Sequence, residues 1–338
     1  MTAARRPTLT DVAAIADVDK AIVSRVLNSD PTLRVRDDTR RRVVAAIEQL
    51  GYRRNAHARS LRVRRATAIG LVIPTYDNPV YTTVIHGAAL GAQAVGSFLL
   101  TASLGTLEIA GETPADLIAT GRIDGLLLAG HSTDVSDHRQ FGGVPVLCVN
   151  RRVSGFDRWL VLDDEGAARI AVDHLLRLGH RRIAHLAGPP SADTADRRRA
   201  GFHRALADAG VFDAPVVEAD YTSEGGAQAA SRLLSLTPRP TAIVVANVAS
   251  AVGALTTLRQ RGIAVPRDLS IVAIHDLPLA RYLEPALTVV EMPLIELGRQ
   301  GVELLMTTPA DSLINEVVRG PMSLIERDST APPMDAGR

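Results

Sequence analysis

The 338 residues contain one cysteine, Cys148, which rules out an internal disulfide framework and any cysteine-rich zinc site. It lies in PVLCV, a strand-like run, where a free cysteine behaves as a small core hydrophobe. No run of about 18 apolar residues is present to cross a membrane. The opening MTAARRPTLTD has none of the apolar stretch that a secretory signal needs, so the expected location is the cytoplasm. Neither G-x-G-x-x-G nor G-x-x-x-x-G-K-[ST] occurs, and a nucleotide-dependent enzyme would therefore have no phosphate cradle. His174, His180 and His185 fall in helix or strand patterns without metal spacing. Neither a metal nor a cofactor is expected.

The chain is 46% hydrophobic and 22% charged, enough to bury the cores of two or three domains. Its net charge of +1 is unevenly spread. Residues 1–65 carry 15 Lys and Arg against 7 Asp and Glu, a net +8 that leaves −7 for the rest. A basic module on an acidic body is the pattern of a chain with one part that meets a polyanion.

Within that module the apolar residues are periodic. Thr8 and Asp11 form a capping-box pattern, and Leu9, Val12, Ala13 and Ala16 give the following helix a buried face. After a short connection at Asp17-Val18, Asp19 can cap a second helix from Lys20 to about Leu27. On it Val23, Val26 and Leu27 share one stripe, and Lys20, Ala21, Ser24, Arg25 and Asn28 share the other. Helices joined so closely cross steeply, as in a helix-turn-helix. A third helix, about Asp38 to Leu50, adds Val43, Ala46, Ile47 and Leu50 to the core and stops at Gly51.

TLTDVAAIADVDKAIVSRVLN, followed by TRRRVVAAIEQLGYRRNAHARSLR, resembles the DNA-binding domain of the lactose/galactose repressor family of bacterial transcription regulators. The resemblance implies that Lys20, Ala21 and Arg25 reach base edges from the second helix, and Arg25 can pair bidentately with guanine. It also implies that Asn55 to Arg62, including Ala58 and Leu61, order into a hinge helix within the linker 55–65, and that its leucine wedges into a central base step from the minor groove. This sequence departs from the family at Asp17 (usually glycine), Asp19 (serine), Ile22 (threonine) and Arg54 (proline). A carboxylate near phosphates repels them, so weaker or differently chosen operator contacts are expected.

From residue 66 the rhythm changes. AIGLVI, SFLLTA, GLLLA, PVLCV, RIAHLAG, AIVVAN and LSIVAI read as parallel strands, with EGAARIAVDHLLRLGH and DRRRAGFHRALADAG as covering helices. The resemblance extends through VDHLLRLGHRRIAHLAGPP and GIAVPRDLSIVAI to PALTVVEMP. It implies a two-lobed, periplasmic-binding-protein-like core that the chain crosses three times.

The expected organisation is a small all-α helix-turn-helix domain (1–54), a hinge (55–65), two doubly wound parallel-sheet α/β lobes (66–330) and a disordered tail (331–338). Ligands of such sheets sit beyond the carboxyl ends of the strands. The candidate effector contacts are therefore Tyr76, Asp77, Tyr81, His131, Asn150, Arg151, Arg198, Tyr221, Asn247 and His275, with Val80 beside them. Asn78-Pro79 reads as a helix start. Val248 and His275 stand where the family usually has carboxylates that accept from sugar hydroxyls, which suggests a less sugar-like or anionic ligand, or a buried Val248 and a structural His275.

GHSTD, 130–134, imitates the start of a hydrolase elbow at Ser132, but Asp134 replaces the glycine that the strained turn requires. The reading is of a regulator and not an enzyme. It is a homodimeric repressor on a near-palindromic operator with a central pyrimidine–purine step, controlled by a small molecule. A degenerate or corepressor-dependent regulator with a non-sugar effector is the alternative. STAPPMDAGR has no leucine heptad, so no added tetramerisation helix is expected.

Overall fold

A computed structural model describes residues 7–27, 33–50, 68–129 and 141–334. The chain divides into two compact units, Met1–Arg65 and Ala66–Arg338.

In the first unit, helices α1 (Leu9–Ala16), α2 (Lys20–Leu27) and α3 (Asp37–Leu50) meet around Val12, Ala13, Ala16, Val23, Val43 and Ala46. The capping box forms: Asp11 N–H donates to Thr8 Oγ1, and Thr8 N–H donates to Asp11 Oδ2 at 2.7 Å. Asp17 closes α1 in the left-handed region at φ 50°, ψ 57°. Aspartate tolerates that conformation better than most residues, so the turn survives without the expected glycine.

The second unit holds two lobes of six strands each. Lobe 1 contains β1 (Ala68–Ile73), α4 (Val80–Ala94), β2 (Phe98–Ser103), α5 (Leu104–Ala110), α6 (Pro114–Ala119), β3 (Gly125–Leu128), β4 (Val146–Val149) and β5 (Arg158–Val161). It is completed by α11 (Leu294–Thr307) and β11 (Ile314–Val317). Lobe 2 contains α7 (Asp164–Arg177), β6 (Ile183–Ala187), α8 (Asp193–Asp208), β7 (Val216–Glu218), α9 (Ser223–Leu234), β8 (Ala242–Val245), α10 (Val248–Gln260), β9 (Ser270–Ile274), β10 (Thr288–Glu291) and β12 (Ser323–Ile325). The chain crosses between lobes three times, near 162–163, 292–293 and 318–322.

The sheet orders are β2-β1-β3-β4-β5-β11 and β7-β6-β8-β9-β10-β12. The sheets are parallel, as expected, with one antiparallel edge pair, β10–β12. In lobe 1, alternate residues face opposite sides. Leu71, Leu127 and Leu147 enter one cluster; Val72, Leu126, Leu128 and Cys148 enter the other. That two-faced burial is what helices on both sides of a sheet require. Cys148 is fully buried, and burial pushes its thiol up to about 12.

The expected disordered tail does not begin at 331. Ala331 N–H donates to Ser270 Oγ, and its carbonyl accepts from Ser270 Oγ and His180 Nε2, which ties the chain to lobe 2. Residues 335–338 lie outside the described part.

Candidate functional site

On α2 the two stripes separate as the periodicity requires. Val23 is fully buried, Lys20, Ala21 and Arg25 are exposed, and Ser24 is half-buried. Asp19 Oδ1 accepts from Ala21 N–H at 2.7 Å, and the Asp19 carbonyl accepts from Ile22 N–H at 2.9 Å. The carboxylate flagged as a departure thus works as the helix cap, where it meets unpaired amide donors and the positive helix end. Asn28, Asn55, Ala58 and Leu61 lie outside the described residues.

In the second unit a cavity of about 520 Å³ lies between the lobes. Its walls come from the carboxyl ends of β1, β3 and β4 in lobe 1 and of β6, β7 and β8 in lobe 2, the position that open parallel sheets reserve for ligands. Of the expected contacts, Asp77, Tyr81, Asn150, Arg151 and Tyr221 line it. Asn150 adopts φ 60° at the end of β4, bending the chain off the strand axis toward the cleft. Burial pushes the Tyr81 hydroxyl up to about 12, against the opposing pull of the Asn150 side chain and of Arg198 and Arg151. Tyr81 is therefore a neutral donor. Asn150 Oδ1 is buried and takes no donor among the described residues, leaving an acceptor in the wall.

Four candidates fall elsewhere, and the fifth, His131, is not described. Tyr76 is half exposed, and its hydroxyl donates to Thr101 Oγ1 at 3.3 Å in lobe 1. His131 lies outside the described residues, as does Ser132. Arg198, Asn247 and His275 are buried beneath the cavity floor.

Arg198 donates from Nε to Asp164 Oδ1 at 2.7 Å, from one Nη to the Ala246 carbonyl at 2.5 Å and from the other to His275 Nε2 at 2.9 Å. Burial opposes its charge, but the adjoining Asp164 carboxylate holds the guanidinium above its ordinary value. A guanidinium only donates, so His275 Nε2 must accept, which fixes the neutral Nδ1–H tautomer. Burial and the Arg198 charge both push His275 well below its ordinary value. Its Nδ1 finds no partner among the described residues.

The Tyr221 ring covers this group. The Arg198 guanidinium carbon lies 5.9 Å from its centroid, and the Tyr221 hydroxyl meets Thr194 Oγ1 at 2.9 Å. Asn247 caps α10, with Oδ1 accepting from Ser250 N–H, while its Nδ2 donates to the Tyr221 carbonyl at 2.9 Å. Asn247 therefore positions Tyr221 instead of facing the cavity. Val248 is buried in the lobe 2 core, and His275 is buried against Arg198 with its Nδ1 unpartnered among the described residues. The neighbouring Asp276 pairs with Arg327 at 2.9 Å.

Sequence reasoning missed Thr75, Asp193, Thr194, Asp220, Thr222 and Glu224, all of which line the cavity. The strand-end rule picks the first residues after a strand. Asp193 and Thr194, however, belong to the first turn of α8, six and seven residues beyond the end of β6. A signal for Thr222 was present: it is the N-cap of α9, accepting from Gly225 N–H.

A compact three-helix unit with an exposed polar helix face, carried with a two-lobed core that holds a cleft cavity, defines a ligand-responsive DNA-binding regulator. The comparisons agree. Residues 8–55 match the family described as bacterial regulatory proteins of the lacI family, and residues 172–330 match a periplasmic binding protein-like domain. The HTH-type transcriptional repressor CytR of Escherichia coli K12 is 32% identical over 305 residues, 88% of this chain and 89% of that protein. The regulator GalR of the same strain is 31% identical over 337 residues, 96% of each. A solved Lac repressor dimer bound to operator and the anti-inducer ONPF superposes with a TM-score of 0.84 at 26% identity, covering 97% of this chain and all of that one. The chain belongs to the lacI family of bacterial transcription regulators.

Proposed function

We propose that this chain acts in the cytoplasm as a homodimeric repressor that reads a near-palindromic operator through α2, and that a small molecule in the interlobe cavity controls its operator affinity. The observation that carries the reading is the division of α2: Val23 is sealed in the core while Lys20, Ala21 and Arg25 stand exposed on a helix capped by Asp19. Two such helices related by a twofold axis suit half-sites about one helical turn apart. Related structures support both ligands, since a Lac repressor dimer was solved with operator and anti-inducer and CelR with cellobiose.

Arg198 is not proposed as an effector contact. Each of its nitrogens donates inward, to Asp164, Ala246 or His275, and Tyr221 covers it. The cavity presents Asp77, Asp220, Glu224 and the free Asn150 acceptor against one arginine, Arg151. That balance favours a donor-rich effector over an anion, which revises the anionic expectation.

The test is selection of bound duplexes from a random pool by the full chain and by Arg25→Ala. The wild type is expected to enrich one near-palindromic site. Arg25→Ala should lose about 10- to 100-fold in affinity for it and relax one base position per half-site, the cost of one bidentate base contact. Enrichment of the same site with equal strength by both proteins would overturn the assignment of Arg25.

A further inference from the structure

Asp193 belongs to lobe 2, yet its carboxylate is bonded beyond that lobe. Oδ2 accepts from the backbone N–H of Arg152 in lobe 1 at 2.9 Å. The same oxygen takes Arg197 Nε at 3.0 Å, and an Nη of Arg197 lies 3.0 Å away. Arg197 in turn donates to the carbonyl of Leu162, in the first crossing between lobes, at 2.7 Å, and pairs with Asp164. One carboxylate is thus joined to the facing wall and, through one arginine, to the hinge.

Several features fit that position. Asp193 opens the 16-residue helix α8, where the helix end favours a negative charge. Its side chain is 23% exposed and lines the cavity. The Arg152 N–H reaches it because left-handed Asn150 turns the chain after β4. The Arg152 guanidinium stacks over Trp159 at 4.5 Å, which anchors the donor's residue to its own lobe. The Asp193 carboxylate thus lines the cavity while its Oδ2 holds the lobes.

We infer that Asp193 is a clasp: a positioning residue that holds lobe 1 against lobe 2 across the cavity and so links lobe closure to DNA affinity. The link to DNA rests on the function proposed above; the clasp does not. A hydrogen bond to a charged group across a hinge is strong enough to bias a two-state closure, and any group that biases the state must alter every ligand that prefers one state.

The experiment compares the full-length wild type with Asp193→Asn, which keeps shape and one acceptor, and Asp193→Ala, which removes both. Backbone hydrogen exchange is followed in peptides spanning Arg152, with amides of β4 and β6 as internal standards. The Arg152 amide is expected to exchange about 10- to 100-fold faster in Asp193→Ala, the release of one charge-assisted bond. Asp193→Asn should fall between, with the strand amides unchanged. Unchanged Arg152 exchange in both variants would overturn the clasp. If Asp193→Ala does not fold, the near-isosteric Asp193→Asn decides the question alone.

Affinity for the selected duplex is measured on the same proteins. Because the chain superposes on a relative bound to operator, the clasped arrangement is taken as the DNA-binding one, and release should weaken binding by about fivefold or more. Faster exchange with unaltered DNA affinity would overturn the link. If the wild type enriches no duplex, the proposed function fails, while the exchange result still decides the clasp.

Discussion

The two lobes share one strand order but not one kind of interior. Among the described residues, the polar groups buried in lobe 1 are Ser103, Asn150 and Arg158, and Arg158 acts as a clamp, donating to the carbonyls of Val146, Pro309 and Ser312. Lobe 2 buries Asp164, His174, His180, His185, Arg197, Arg198, Asn247 and His275, together with several hydroxyl side chains. It also holds Tyr221 and His275 at φ 67° and 75°. Apolar packing needs only shape, whereas each buried polar group needs its partner in place. The lesson is that a topology can be built once with forgiving contacts and once with exacting ones. Here the exacting version lies directly beneath the cavity, where it fixes the Tyr221 ring.

The sharpest way to break the comparison is to attack the one device that both lobes share. In lobe 1 a side chain on Gly87 would overlap the carbonyl of Ile295, and in lobe 2 one on Gly253 would overlap that of Ser223. Gly87→Val and Gly253→Val should each cost about 5 kcal/mol, the upper range for point changes. Differential scanning calorimetry should show a separate loss of one lobe in each variant, and equal small shifts would mean that the helix pairs can slide apart.

Charge removal should then separate the lobes. Asp164→Ala leaves Arg198 buried without its counterion and is expected to cost about 4 kcal/mol. Arg158→Met in lobe 1 removes neutral carbonyl bonds and should cost about 1 to 2 kcal/mol. Urea denaturation of the two variants gives the ratio, and a larger effect at Arg158 would reverse the contrast drawn here.

A pH effect of about 3 kcal/mol is expected last. Burial lowers His185 to about 4, and His174, His180 and His275 are also lowered, by burial first. Protons therefore prefer the unfolded chain. Stability is intact above about pH 6.5, falls as the pH drops below it, and for His185 is fully lost near pH 4. The single tryptophan, Trp159, reports lobe 1 alone. Its fluorescence transition should match that seen by circular dichroism at pH 7.5 and lag behind it at pH 5; coincident transitions at both would show that the lobes unfold together.

Much of this was legible in the residues. The Thr8/Asp11 pair, the stripe through Val23 and the run AIGLVI are local patterns, and local patterns survive folding. Seven strands were visible because they are continuous apolar runs. β5, β7, β10, β11 and β12 were not, being three or four residues long and, in INEV and TVVE, interrupted by charge. The cavity's neighbourhood was legible from strand ends, but the withdrawal of Arg198 was not. That withdrawal depends on Asp164, 34 positions earlier, and His275, 77 positions later, and no window of sequence contains all three. Asp19 shows the opposite case, since a local rule for caps predicted its use better than the departure from the family did.

Lobe 1 borrows α11 and β11 from chain that follows most of lobe 2, and this sets a timetable for synthesis. At the usual pace of translation, the 132 residues between Val161 and Leu294 take on the order of 10 s to emerge. Through that interval the glycine-lined face of α4 awaits α11, and the outer edge of β5 awaits β11. When Leu294 is added, lobe 2 lacks only its last edge strand, β12, and the segment through Ala331 that follows it. The nascent chain thus reaches its polar, exacting lobe in near-finished form while its apolar lobe is still an open sheet, and a chaperone that binds exposed strand edges would find its target in the half that was made first.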